Sequence, residues 1–156
     1  MTSAPETKYR KDYTAPDYFI RHIDLTVDIR ERTEVQALLH LERNPDRPTG
    51  LPLQLDGEGL SLLSVELDGK PLEKSEYEVH DGGLRIPTLP EQCRLATRVE
   101  IDPDNNTALE GLYRSGDILC TQCEAEGFRH ITYYLDRPDV MASFTTTIRA
   151  DRDRYP

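Results

Sequence analysis

Residues 119–130 read LCTQCEAEGFRH. Cys120 and Cys123 stand three apart, Glu124 and Glu126 two apart, and His130 closes the run. Such a set could hold a structural zinc, run thiol redox chemistry, or capture a cation on its carboxylates. Cys120-x-x-Cys123 has the spacing of half a zinc site, and His130 or Cys93 could complete the ligands. The chain, however, offers no second spaced pair. A redox CxxC needs a helix N-terminus in a βαβ unit to lower the thiol pKa, and the residues around this one read as strand and loop. The plainer account is that Cys120 and Cys123 are small packing residues.

Hydrolytic centres are tested the same way. The zincin motif H-E-x-x-H needs a glutamate directly after a histidine. The four histidines are followed by Ile23, Leu41, Asp81 and Ile131. Nothing matches the G-x-S-x-G elbow or a glycine-rich phosphate loop. On motifs alone the chain binds or scaffolds, and is not a self-sufficient enzyme.

The elements that must carry the run are strands. In HIDLTVDIR, Ile23, Leu25, Val27 and Ile29 share one face while polar residues fill the other, the period of a half-buried strand. Val35, Ala37, Leu39 and Leu41 repeat the pattern after a charged link, predicting an antiparallel hairpin. Further alternation runs through Leu51, Leu53 and Leu55; Leu63, Val65 and Leu67; and Leu95, Thr97, Val99 and Ile101. DGKP reads as a turn in which Asp68 and Gly69 take left-handed backbone angles. YEVHDGGLRIP reads as strand, Asp-Gly-Gly turn, strand. DPDNNTALEGLYRSGD reads as a long loop with one helical turn. Strand returns at Ile118–Cys120, Ile131–Leu135 and SFTTTIRAD, and Asp136 is placed to cap a helical turn begun by Pro138. The predicted fold is all-β, an antiparallel β-sandwich with a long loop and at most short helical turns in the last third. Residues 1–12 are expected to be a flexible segment and residues 13–156 the domain.

Composition narrows the partners. The 156 residues carry a formal charge of −10. From Val99 to Glu126 seven acids face one base, Arg114. Such a surface repels phosphate backbones and draws cations, so nucleic acid is excluded as a partner. No apolar run is long enough for a membrane span. Three cysteines without a secretory signal argue against a disulfide framework and for a cytoplasmic protein. The absence of tryptophan weakens a carbohydrate-binding reading.

One longer resemblance organises these fragments. The run ALEGLYRSGDILCTQCEAEGFRHITYYLDRPDVMASFTT, residues 108–147, resembles the end of the N-terminal domain of bacterial aminopeptidase N, a zinc metallo-aminopeptidase of gluzincin type. YRKDYTAPDYFIRHIDLTVDI and LDGKPL extend the likeness over nearly the whole chain. The resemblance implies that Glu124 helps bind the free α-amino group of a peptide and that Gln122 lines the pocket for its first side chain. It implies partners in peptide N-termini and in a catalytic domain of the same polypeptide. That domain would bring zinc, H-E-x-x-H, a third glutamate ligand and G-x-M-E-N. None of these motifs occurs here, so the chain is expected to be inactive alone and to hold no metal or cofactor of its own. A standalone interaction module with zinc at the CxxC is the alternative. Around the motif, Glu126 is expected to make a loop hydrogen bond or to pair with Arg129, Gly127 to permit a special backbone angle, and His130 to be structural. Tyr133 and Tyr134 are expected to point to opposite faces, and Asp136, Arg137 and Pro138 to form a corner.

Overall fold

The computed structural model describes residues 9–155. The predicted flexible segment therefore falls mostly outside the described residues; Arg10–Asp12 form a single 3-10 turn. The first strands are β1 (Tyr18–Ile29) and β2 (Thr33–Arg43), the predicted hairpin. They pair antiparallel from Tyr18↔Arg43 to Ile29↔Thr33. Then come β3 (Leu53–Asp56), β4 (Ser61–Leu67), β5 (Lys70–Pro71), β6 (Glu78–His80), β7 (Gly83–Ile86) and β8 (Gln92–Ile101). The hairpin β9 (Gly111–Ser115) and β10 (Ile118–Gln122) precedes a 3-10 turn at Phe128–His130, and β11 (Ser143–Ala150) ends the fold.

A six-stranded sheet runs in the order β11-β1-β2-β8-β4-β5, and a smaller sheet runs β3-β7-β6. One hydrophobic core joins them. Alternation turns Ile23, Val35, Leu39, Leu95 and Val99 of the large sheet inward, where they meet Leu55 and Leu84 of the small one, all without solvent contact. Burial of each such side chain favours the fold by about 1.5–3 kcal/mol. The architecture is an all-β sandwich, as the alternation predicts.

Local chemistry explains the turns. Between Leu67 and Lys70 only Asp68 and Gly69 remain, at φ 49° and 77°. That pair of left-handed residues matches the right-handed twist of two-residue hairpins. The alternation of Leu63, Val65 and Leu67 is broken by a bulge between Leu62 and Ser64. A bulge flips the sides of the residues beyond it, so Leu62 packs on the core while Leu63 is exposed.

Several expectations are corrected. The region of residues 102–117 is not one long loop, because Leu112 is buried and Gly111–Ser115 pairs with β10. Ile131–Leu135 is not a strand. It is a buried segment that leaves the 3-10 turn, and its one described bridge joins Tyr134 to Asp56. Tyr133 and Tyr134 are both buried, Tyr133 against Gly57, whose missing Cβ would lie 2.4 Å from the ring, and Tyr134 against Phe128. Asp136 caps no helix at Pro138; its carboxylate accepts from the Arg129 backbone N–H at 3.1 Å. Lastly, β11 runs parallel to β1, not antiparallel. Both strands leave one corner, where the Tyr13 hydroxyl donates to Asp139 at 3.0 Å and Arg137 Nη2 donates to the Thr14 carbonyl at 2.8 Å. Strands that start together must run together.

Candidate functional site

The cysteine–glutamate run lies at the open end of the β9–β10 hairpin. At the other end a two-residue turn, Gly116 and Asp117, joins the strands with the glycine first, at φ 59°. The register puts Gln122 opposite Gly111. Beyond Gln122 the chain folds into a tight turn closed by the Gly127 N–H on the Cys123 carbonyl at 3.0 Å. The Glu124–Ala125 peptide bond within it is cis. The His130 N–H then bonds the Gly127 carbonyl at 3.2 Å, and the chain dives into the buried segment.

Two glycines let these backbones approach. A Cβ at Gly111 would lie 2.6 Å from the His130 Cβ, and one at Gly127 would lie 2.6 Å from the Gln122 carbonyl oxygen. Gly127 itself sits at φ −90°, ψ −10°, an angle any residue adopts. The expectation of a special angle is thus overturned, and close approach replaces it.

Two bases organise the acids around the turn. The Arg129 Nε donates to Asp136 Oδ2 at 3.1 Å and its Nη2 to the Asp136 carbonyl at 3.1 Å. Glu126 lies 3.4 Å from Nη2, the expected pairing, and Glu58 lies 3.8 Å from Nη1. Burial opposes the Arg129 charge, but the Asp136 bond and the charges of Asp56 and Glu126 outweigh it and raise the pKa. His130 Nε2 lies 3.2 Å from Glu110 and 3.6 Å from Glu58. Asp56 accepts the Asp136 N–H at 3.0 Å, and burial pushes its carboxyl above the usual range. Burial likewise pushes Tyr134 up to about 12 and raises the Cys123 thiol.

Glu124 differs from all of these. It is exposed and, among the described residues, makes no hydrogen bond or ion pair. Gln122 is exposed one residue before Cys123. The structure therefore brings Gln122 and Glu124 to the surface together, at the mouth of a turn whose other acids are engaged. Arg129, Glu58 and Glu110 were not singled out as site residues by the sequence reading. Only the Glu126–Arg129 spacing hinted at the network, and nothing local to Glu58 points here.

All three cysteines are free, and no group of three or more His, Cys, Asp or Glu among the described residues is placed to hold an ion. No helix among the described residues is long and apolar enough to cross a membrane.

The T-Q-x-E segment thus stands at the open end of the β9–β10 hairpin of an all-β sandwich. A family model, the Peptidase M1 N-terminal domain, matches residues 21–155. The chain is 54% identical over 157 aligned positions to aminopeptidase N of Escherichia coli (strain K12), covering all of this chain and 18% of that protein. It is 44% identical to aminopeptidase N of Caulobacter vibrioides over 96% of this chain and 17% of the relative. The crystal structure of Legionella pneumophila aminopeptidase A in complex with aspartic acid superposes with a TM-score of 0.86 at 33% identity, over 96% of this chain and 18% of that one. An M1 zinc metallopeptidase from Deinococcus radiodurans shares the fold, with a TM-score of 0.69 at 17% identity over 85% of this chain and 32% of that one. The chain belongs to the M1 peptidase family as its N-terminal domain, and it spans less than a fifth of the length of the curated relatives it matches.

Proposed function

We propose that this domain caps the cleft of a zinc aminopeptidase and supplies the contact that selects a free peptide N-terminus. Glu124 receives the α-ammonium group, and Gln122 borders the pocket for the first side chain. Zinc belongs to the catalytic domain of the same polypeptide, and no residue of this chain is assigned to it. Three free cysteines fit a reducing, cytoplasmic setting.

The observation that carries this reading is the unpartnered carboxylate of Glu124 beside engaged acids. A peptide α-amine has a pKa of about 7.7–8.0 and is mostly cationic at neutral pH. Facing a carboxylate in a cleft sheltered by a second domain, it gains a charge-assisted hydrogen bond of about 1.5–3 kcal/mol. An internal peptide bond offers no such cation, so the contact favours cutting from the end. In the intact enzyme, Glu124→Gln is expected to lower kcat/KM for an alanine anilide by about 10- to 100-fold. Unchanged kinetics would remove Glu124 from the site.

A further inference from the structure

We infer that Arg129 is a positioning residue for Glu124, holding the rim turn in its substrate-facing shape through Glu126 and Asp136. The inference rests on the reading of Glu124 just given and extends it to a residue that does not touch substrate.

The argument starts from the shape of the guanidinium. Its flat fork supplies parallel donors in fixed directions. Here the Nε takes the Asp136 carboxylate and Nη2 takes the carbonyl of the same residue, both at 3.1 Å. The Arg129 backbone N–H reaches that carboxylate as well, at 3.1 Å. Asp136 is 7% exposed and is itself tied to the sandwich by its N–H on Asp56 at 3.0 Å. Arg129 is therefore anchored to the core on one side. On the other it presents Nη2 to Glu126 at 3.4 Å. Glu126 sits two residues beyond Glu124 in the turn that the Gly127 N–H closes. The chain Asp56, Asp136, Arg129, Glu126 thus joins buried structure to the rim.

The same network serves electrostatics. Glu58, Glu126 and Asp136 lie within 3.8 Å of the one guanidinium. Without it three carboxylates would repel one another beside the turn, and the turn would spread. A lysine keeps the charge but cannot reproduce the fork. An incoming ammonium would then meet a carboxylate in several orientations, which raises KM and leaves the chemical step alone.

The test is a double-mutant cycle in the intact enzyme with an alanine anilide, reading KM and kcat separately and thermal stability in parallel. Arg129→Lys is expected to raise KM about 3- to 10-fold with kcat within about twofold of the parent. In a Glu124→Gln background the same change should have no further effect on KM, although its effect on thermal stability persists. A merely structural arginine would give equal KM effects in both backgrounds, and that result overturns the proposal. So does an unchanged KM for Arg129→Lys. If Glu124→Gln alone leaves KM unchanged, the reading of Glu124 fails and the positioning role falls with it; the first arm of the cycle separates the two failures. Glu126→Gln, an exposed change that leaves the core anchor intact, repeats the cycle should Arg129→Lys fold poorly. It is expected to raise KM in the same direction, and no change in KM would overturn the proposal.

Discussion

Replacing Gly127 with alanine sets two physical effects against each other, and the geometry says which wins. At φ −90°, ψ −10° an alanine fits the backbone without strain. By reducing the freedom of the unfolded chain it should stabilise the protein by about 0.4–1 kcal/mol. Against this, the new Cβ would lie 2.6 Å from the Gln122 carbonyl oxygen, 3.1 Å from the Cys123 Cα and 3.4 Å from the Gly111 nitrogen. All three are backbone atoms of paired strand or closed turn, and Gly111 is itself held under His130. None is the free end of a side chain that can swing aside. Forcing a methyl into such a place costs about 1–3 kcal/mol. The balance favours the clash, a net loss of up to about 2.6 kcal/mol and about 1.3 kcal/mol at the middle of both ranges, read as a lower urea midpoint with an unchanged slope. Backbone amide shifts should move at residues 122–127 and stay fixed in β1 and β2. Gly82→Ala is the control: its Cβ meets nothing within 4 Å, but φ is 91°, so its cost of about 1–2 kcal/mol is conformational. Its shifts should stay near the β6–β7 turn. A Gly127→Ala protein as stable as the parent, or more so, would refute the close-approach account of this turn.

Two further expectations test the structure away from the turn. Burial raises the Cys93 thiol from 9.0 to about 11, which leaves about 100-fold less thiolate at pH 8; of the three thiols Cys93 should react slowest with a disulfide reagent, and equal rates in folded and urea-unfolded protein would contradict it. The Arg137 hydrogen bond, then that of Tyr13, lowers the Asp139 carboxyl below its ordinary 3.8. Because the folded value is the lower one, its contribution is present above about pH 4 and fades as pH falls through the lowered value. At this largely exposed corner Asp139→Asn should cost about 0.2–1 kcal/mol at pH 7, and the difference from the parent should shrink in acid melts; a difference independent of pH would refute the ion pair.

Where alternation is long, the strands are readable. β1, β2 and β8 alternate over a dozen residues or fewer with one polar face each, and the paired left-handed residues of Asp68–Gly69 announce their turn. Reading failed where the cause is not local. The bulge at Leu62 moves Leu63 to solvent, and its reason lies in pairing with β8. Ile131–Leu135 has the composition of a strand, but it runs through the core with both tyrosines enclosed, so its shape is set by Gly57, Phe128 and Asp56. The parallel sense of β11 follows from the corner that Tyr13, Arg137 and Asp139 build between distant parts of the chain. At the candidate site the motif points to Gln122 and Glu124, while Glu58 reaches Arg129 and His130 only through the fold.

Most of the acidic segment's charge is taken up by neighbouring bases and turns. Of the seven acids between Val99 and Glu126, Glu100 pairs with Arg32, Asp104 with Arg114, Glu110 with His130 and Glu126 with Arg129. Asp102 accepts from the backbone and side chain of Asn105. Asp117 and Glu124 remain, one in the hairpin turn and the other just past its open end. The five residues of β10 between them span about 17 Å. Screening acts over about 8 Å at physiological ionic strength, so Asp117 contributes little to the potential at Glu124. Neighbouring acids already held by Arg129 and His130 present less unbalanced charge than their number suggests. Among the described residues, the open end of this hairpin therefore carries one uncompensated carboxylate, that of Glu124.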